Sequence, residues 1–299
     1  MTTSAKSTSV DLSVIIVSHN TATLIGNAIQ AVLDTVNSHS FEIIVVENAS
    51  TDDSFAFIKK TFPKVTLLRT DSLIGFSAAN NLGRKHAHGS HLFFLNPDTI
   101  VVHHAIDNLL DHMQKHHLKV ASGQLRNPDG SIQPQGGALP NLWNVAAWML
   151  FIDDLGLTHA YQLRKQSYFH HEQDNVGWIG GTAFMIETAA FDAVGGWDSK
   201  IFLYGEDVEL CIRLHRAGLK IGLFPDVQIK HIKQGSVGSS SRAYIGEFEG
   251  LIYIWKKYFP TWELPILRLL LVAGAWLRVV IFGILLGDEH RKATYLDAA

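Results

Sequence analysis

The sequence predicts an α/β protein: a mostly parallel central sheet flanked by helices, with an apolar helical extension at the C-terminus. Three observations carry that expectation. Short apolar runs at residues 12–17, 42–46, 65–68, 92–95 and 120–125 are bounded by polar turns, the pattern of buried strands. Segments with helical spacing alternate with them, the order of β-α-β units joined by right-handed crossovers. The third observation is the stretch His91-Leu-Phe-Phe-Leu-Asn-Pro-Asp-Thr99, an aromatic-rich strand that runs straight into a turn with a carboxylate at its tip. In open α/β sheets ligands sit beyond the carboxyl ends of strands. Asp98 is thus delivered where a metal-bound diphosphate can be held. A plain turn, in which Asp98 bonds its own backbone, accounts for the same residues taken alone.

The totals bound the answer. With 299 residues, 47% hydrophobic and 18% charged, the chain can bury one large α/β core with additions, or two small ones. A net charge of -3 gives no electrostatic case for a nucleic-acid partner. The lone cysteine, Cys211, excludes an internal disulfide framework and fits a reducing compartment. Residues 1–11 are polar with no apolar core, so no secretory signal is expected. Among 16 histidines, His112 and His116 stand four apart on an expected helix, a spacing that can bind zinc. Their neighbours Lys115, His117 and Lys119 favour a solvated face instead.

The elements follow in order. Residues 12–17 form the first strand, and Ser18-His19-Asn20-Thr21 is a polar turn with helix-capping residues. A helix is expected over 22–36, with Leu24, Ala28, Ala31 and Val32 on one side. The second strand ends in Glu47-Asn48-Ala49-Ser50-Thr51-Asp52-Asp53, where Ser50 and Asp53 resemble a capping box for a helix through Lys60. Capping leaves Glu47 and Asn48 unexplained. Polar groups at a strand's carboxyl end can read a base or ribose by hydrogen bonds. In Gly75-Phe-Ser-Ala-Ala-Asn80-Asn81-Leu-Gly83, small residues let a helix pack closely, and the adjacent amides serve either a cap or a ligand. A helix over 103–115 and a strand over 120–125 precede Asn127-Pro-Asp-Gly130, which reads as a hairpin tip.

Residues 140–175 lose this rhythm and carry Trp143, Trp148, Phe151, Tyr161, Tyr168 and Phe169. An insertion that shapes a binding surface and one that packs on the sheet fit equally. Rhythm returns at Val176-Gly-Trp178-Ile-Gly180-Gly181-Thr182, where the paired glycines allow a ligand to approach the backbone ahead of a strand at 183–186. Gly195-Gly196-Trp197-Asp198 is a second glycine-aromatic turn. Leu210, Arg213, Leu214 and Ala217 have helical spacing, and Gly218 ends that helix. Glu206 and Asp207 therefore lie at its N-terminus, where acidic groups suit the dipole. A cleft-facing aspartate there can also act as a general base. After a strand at 221–224, Val227-Gln-Ile-Lys-His231 ends in a histidine that is either structural or a metal ligand.

In their order and spacing these motifs resemble the GT-A fold glycosyltransferases of family 2, and most closely the rhamnosyltransferase-like branch that builds bacterial cell-surface polysaccharides. The resemblance rests on Ser18-His19-Asn20, Val46-Glu47-Asn48-Ala49-Ser50-Thr51-Asp52, Gly75-Phe76 with Asn80-Asn81, Asn96-Pro97-Asp98, Gly177-Trp178-Ile179-Gly180-Gly181, Gly195-Gly196-Trp197-Asp198, Glu206-Asp207-Val208-Glu209-Leu210 and His231. It covers about residues 11–260. It implies that Ser18, Asn20, Glu47, Asn48, Asn80, Asn81 and Asn96 face the nucleotide. Asp98 would be the surviving carboxylate of the family's Asp-x-Asp element and hold Mg²⁺ or Mn²⁺ together with His231. Asp207, with Glu206 beside it, would deprotonate the acceptor hydroxyl. Trp178, Gly180, Gly181 and Trp197 would line the sugar and acceptor pocket. Departures from the pattern are His19 for the usual Tyr, Glu47 for Asp, Leu73 for Asn and Glu209 for Asp.

The implied activity is inverting, metal-dependent transfer of a sugar, rhamnose being expected, from dTDP-rhamnose or a UDP-sugar to a lipid-linked or growing cell-surface glycan. The cation would stabilise the departing diphosphate, and a base on the far side of the anomeric carbon would complete a single displacement. The implied organisation is a flexible start at 1–10, a GT-A domain at 11–245 and a helical membrane-associating segment at 246–299. The GT-A domain divides into a nucleotide-binding half, 11–125, and an acceptor and catalytic half, 126–245.

Residues 264–287 are almost wholly apolar and long enough to cross a bilayer. Pro265, Arg268 and Arg278 interrupt them. On a helix the two arginines lie about 80° apart, since each residue turns about 100°, and a central arginine costs roughly 2.5–3.5 kcal/mol on insertion. A helix lying in the headgroup region fits better than a full span. Upstream, Trp255-Lys256-Lys257-Tyr258-Phe259 has the composition of a membrane interface. The expectation is a cytoplasmic protein, peripheral on the inner face of the plasma membrane. Packing of the helix on the domain, or on a second protomer as a homodimer, is the alternative. A nucleotide-binding oxidoreductase or nucleotidyltransferase lacks support, because no Gly-x-Gly-x-x-Gly and no phosphate loop follow the first strand. The other competing reading is a non-catalytic nucleotide- or glycan-binding protein on the same scaffold.

Overall fold

The computed structural model describes residues 10–152, 161–162, 169–232 and 240–298. Tyr168 and nearly all of the expected flexible start lie outside them.

The first half of the chain alternates strand and helix: β1 (Leu12–Ser18), α1 (Ile25–Thr35), β2 (Phe41–Glu47), α2 (Ser54–Thr61), β3 (Thr66–Arg69), α3 (Phe76–Arg84) and β4 (His91–Leu95). Then come β5 (Thr99–Val101), α4 (Ala105–Lys115), β6 (Val120–Arg126), β7 (Gly136–Gly137) and α5 (Leu142–Met149). After these follow β8 (Trp178–Ile179), β9 (Ala183–Glu187), α6 (Thr188–Ala193), α7 (Glu206–Arg216) and β10 (Ile221–His231). The chain closes with α8 (Ser240–Tyr258), α9 (Glu263–Arg278), a wider π-helical continuation at Val279–Leu285, and α10 (Glu289–Ala298).

The main sheet runs in the order β3-β2-β1-β4-β9-β6-β10-β5. Pairing is parallel from β3 through β4 and between β6 and β10, while β9 is antiparallel to both of its neighbours. The stretches 221–224 and 227–231 are one strand interrupted by a bulge after Phe224. The expected hairpin tip is present, with the Gly130 N–H bonded to the Asn127 carbonyl at 2.9 Å.

Side chains sort by the two-residue period of a strand. Val14, Ile16, Ile43, Val45, Phe93 and Leu95 enter one core layer, where α1 and α4 cover them. Ile15, Ile44, Phe94, Phe184 and Ile186 enter the opposite layer together with Leu210, Leu214, Leu251, Ile254 and Trp255. That second layer also takes in Leu267, Leu271 and Ala275 of α9. Position 246 falls inside α8, whose apolar face belongs to the same core as the sheet.

Two local expectations differ from the structure, and an open choice at 140–175 is decided. Ser50 and Asp53 form no capping box. The Ser50 hydroxyl accepts the Asn20 N–H at 2.9 Å, and Asp52 accepts the N–H groups of Ala22 and Ser54, each at 3.1 Å. One carboxylate thus ties the turn before α1 to the start of α2, a long-range pairing that local spacing does not encode. In the 140–175 stretch, Trp148, Tyr161 and Phe169 are buried, whereas Trp143 is exposed; most of its described aromatics are packing groups. Arg278, counted above as a charge that interrupts the apolar stretch, points into the protein. Its guanidinium donates to the carbonyls of Met149 at 2.7 Å and Trp148 at 2.8 Å, the open carbonyls at the end of α5. Arg268 is exposed.

Candidate active site

The carboxyl ends of β1, β2 and β4 lie at one edge of the sheet, as parallel pairing demands. Because β9 runs the other way, its entry brings Gly181 and Thr182 to the same edge, and the Asn96 N–H bonds the Thr182 carbonyl at 2.9 Å. The start of α7 closes the opposite wall. A cleft of about 240 Å³ opens between them, lined among others by His19, Asn48, Asn96, Asp98, Gly181, Glu206 and Asp207.

Asp98 and His231 meet at this edge because β5 pairs antiparallel with β10. The register sets His231 opposite Thr99, and Asp98 Oδ1 then stands 3.3 Å from His231 Nε2. Both groups are buried, and that nitrogen has no hydrogen-bond partner. Two donors bound side by side to one octahedral cation at about 2.1–2.3 Å are about 3 Å apart. The pair therefore fits a shared divalent ion. A carboxylate with one imidazole suits the harder end of the transition series or Mg²⁺. On the far side of the ring, the Gln133 amide lies 3.0 Å from Nδ1 and holds the imidazole in place.

Asp207 and Glu206 begin α7. The chain reaches them through a turn in which Tyr204 and Gly205 both have positive φ, 71° and 88°. Helix α8 presses on this turn: a Cβ at Gly250 would sit 2.7 Å from the Tyr204 carbonyl oxygen. Only a glycine there lets the two elements approach, so α8 braces the acidic pair from behind.

The Asp207 carboxylate accepts the Val208 N–H at 2.8 Å and the Gly181 N–H at 3.1 Å. Burial pushes Asp207 above the usual carboxylate range, and those two N–H groups oppose the shift. Burial, then the charge of Asp207, push Glu206 well above its ordinary value; its Oε2 is buried without a hydrogen-bond partner. A third carboxyl, Glu247 of α8, accepts the Tyr161 hydroxyl at 2.5 Å, and burial with repulsion from Asp207 raises it to about 7. Backbone N–H groups favour the charged forms of both Asp207 and Glu206, but the charge of Asp207 pushes Glu206 further up. The sequence reading missed Glu247, which sits inside a long helix with no motif around it.

The remaining expected site residues divide. Asn48 and Asn96 line the cleft, but the Asn48 amide is also spent on the 70–74 loop, accepting the Ile74 N–H at 3.0 Å and donating to the Ile74 carbonyl at 2.6 Å. Gly181 lines the cleft; Gly180 lies just behind it, with room for a Cβ 3.8 Å from Asp207 Oδ2. Other side chains are placed elsewhere. The Ser18 hydroxyl bonds Thr21 at 2.7 Å, and the Asn20 side chain accepts the Thr51 N–H at 2.8 Å. Glu47 is buried, takes the Ser50 N–H at 2.6 Å and pairs with Arg69.

Asn80 bonds back within α3 to the Phe76 carbonyl. Asn81 clamps the Trp197 backbone, accepting its N–H at 3.1 Å and donating to its carbonyl at 2.7 Å. Trp197 is a core residue enclosed by Phe76, Phe94, Phe184 and Phe191. Trp178 stacks on Tyr161 and lines a separate hollow with Gly136 and His215. Glu209 is structural as well: burial would raise its carboxyl, but Arg213, Lys257 and Tyr258 outweigh burial and hold it below the usual range, tying α7 to α8.

The family comes from one comparison and the fold from another. A family model described as glycosyl transferase family 2 matches residues 13–195. The N-acetylglucosaminyl-diphospho-decaprenol L-rhamnosyltransferase of Mycobacterium tuberculosis is 27% identical over 262 residues, spanning 79% of this chain and 81% of the relative. A mannosyltransferase from Pyrobaculum calidifontis, solved with GDP-Man and Mn²⁺, superposes with a TM-score of 0.57 at 17% identity, covering 98% of this chain and 74% of that one. GalNAc-T7, solved with UDP, GalNAc and Mn²⁺, gives a TM-score of 0.59 at 18% identity, covering 82% of this chain and 48% of that one. Those two structures speak for the fold.

Proposed function

The chain belongs to glycosyl transferase family 2, and from that premise we propose that it is an inverting, metal-dependent enzyme that moves rhamnose from a nucleoside-diphosphate donor to a lipid-linked N-acetylglucosamine acceptor. The observation that carries this reading is the convergence of Asp98, His231 and Asp207 on one edge of the sheet from three distant parts of the chain. The rhamnosyl and lipid terms come from the mycobacterial relative's name.

In this reading Asp98 and His231 hold Mg²⁺ or Mn²⁺, which supplies charge for the departing diphosphate when bound. Asp207 takes the proton of the acceptor hydroxyl. Its burial makes it more basic than a solvated carboxylate, while the Gly181 and Val208 N–H groups oppose that shift and aim the carboxylate. Asn48, Asn96 and His19 face the donor.

We also infer that the protein rests on the cytoplasmic face of a membrane. Helix α9 buries Leu267, Leu271 and Ala275 and, with its π-helical continuation, turns the opposite stripe outward: Leu269 is 68%, Trp276 51% and Ile284 68% exposed. The stripe runs from Trp262 to Leu286. One apolar flank in protein and one in the headgroup region is the posture of an interfacial helix.

The test is transfer itself. Full-length protein is incubated with dTDP-rhamnose, UDP-sugars or GDP-mannose and a lipid-diphosphate N-acetylglucosamine acceptor, with Mn²⁺, Mg²⁺ or chelator. Product of inverted configuration, lost with chelator, supports the reading. Nucleotide-sugar binding without transfer favours the non-catalytic alternative.

A further inference from the structure

We propose a second metal site, of zinc type, on the face of α4 remote from the cleft. Its ligands are His112, His116 and Glu172, with Asp226 beside them. One donor atom from each of the first three lies within 4.8 Å of the other two. Asp226 Oδ2 is 2.7 Å from His112 Nε2. The four groups come from α4, the segment before β8, and the bulge of β10.

Three features separate this cluster from a solvated histidine face. The i, i+4 spacing on α4 turns both imidazoles to one side. Phe224 fixes both rings: His112 stacks on it at 4.3 Å and 8°, and His116 packs at 5.3 Å. Ring orientation, which a ligand must otherwise give up entropy to adopt, is therefore preset. His116 Nε2 is buried without a hydrogen-bond partner, although Glu172 Oε1 stands 2.7 Å away, off the line such a bond needs. A buried nitrogen left unmatched beside a carboxylate is what a shared cation would satisfy.

The donor set decides the metal. Two imidazoles with carboxylate oxygen suit Zn²⁺ among common divalent ions, whereas Mg²⁺ prefers oxygen alone. The site is empty of substrate space: neither the cleft nor the Trp178 hollow is lined by His112 or His116. Its role is structural, a staple joining α4, the chain ahead of β8 and β10. Past the bulge, Phe224 pairs with Gly123 and Lys230 with Arg126, so His231 lies four sheet positions beyond Phe224, about 13 Å at roughly 3.3 Å per residue; neither Asp98 nor His231 belongs to the cluster, and the staple is independent of the transferase reading.

The experiment is equilibrium dialysis of full-length protein against Zn²⁺ in excess Mg²⁺, with melting temperature recorded in parallel. One Zn²⁺ per chain is expected, with a higher melting temperature. His116→Asn loses at least about tenfold in Zn²⁺ affinity, the scale that even outer-shell changes cost. Glu172→Gln, at an exposed position, weakens binding while leaving the zinc-free melting temperature unchanged. His231→Asn keeps the Zn²⁺. Equal Zn²⁺ binding by wild type, His116→Asn and Glu172→Gln overturns the proposal, as does wild-type binding no tighter than millimolar.

Discussion

Asp98 Oδ1 lies 3.3 Å from His231 Nε2, a contact created by the antiparallel register of β5 against β10. Neither residue's own strand explains it. The short strand β5 folds back onto the sheet's far edge and carries Asp98 to the end of β10.

Removing that carboxylate tests the metal reading directly. Asp98→Asn is expected to weaken Mn²⁺ binding by about 100-fold or more, because outer-shell changes alone cost 10–100-fold. Titration of Mn²⁺ followed by electron paramagnetic resonance measures it without turnover. Unchanged Mn²⁺ affinity places the ion elsewhere.

Asp207→Asn keeps the shape of the α7 start and removes the base. Turnover is expected to fall roughly 100- to 10,000-fold, the usual worth of a positioned base. Donor affinity by calorimetry should stay within about twofold, since the lost interaction belongs to the transition state. Wild-type turnover would show that another group takes the proton.

Glu247 makes stability fall with rising pH. Its carboxyl is raised from 4.5 to about 7 by burial and by Asp207. A raised acid binds its proton more tightly in the folded state, so its stabilising share is whole below pH 4.5 and is lost as pH climbs through 7. The span corresponds to roughly 3 kcal/mol at most. Glu247→Gln should therefore melt higher than wild type at pH 8 and close to it at pH 4.5. Parallel melting curves for the two proteins across that range would dismiss the role.

The apolar stripe along α9 and its π-helical continuation predicts vesicle binding that depends on its outward residues. Leu269→Asp with Ile284→Asp should reduce cosedimentation with phosphatidylglycerol vesicles at least tenfold, at about 2 kcal/mol for each buried leucine or isoleucine lost. Truncation at 260 is a poorer test, because it strips Leu267, Leu271 and Ala275 from the main core. Undiminished pelleting, or a dimer in solution that the double variant abolishes, would assign the stripe to protein contact.

Arg278→Met should destabilise the protein by about 2–4 kcal/mol, since the buried carbonyls of Trp148 and Met149 lose their donors. Thermal melting measures it. A change under about 0.5 kcal/mol would mean that water replaces the guanidinium.

Much of this molecule is legible before folding. Apolar runs and their two-residue period set the strands and even the face each side chain takes: Ile15 and Phe94 fall in one layer, Val14 and Phe93 in the other. Turn chemistry set the 127–130 hairpin. Asp98, Glu206 and Asp207 announce themselves as polar groups at the ends of apolar elements.

Contacts across the chain are of another kind. Asn81, at a motif position, holds the Trp197 backbone; Trp197 fills the core; Glu47 pairs with Arg69; and Arg278 caps α5. A polar or aromatic side chain carries the same letter whether it meets substrate, backbone or a neighbouring ring. What it meets depends on sheet order and register, which bring residues a hundred positions apart within 3 Å. Local spacing is fixed by the geometry of one strand or helix, and is therefore readable; partnership is fixed by how those elements stack, which only the folded chain decides.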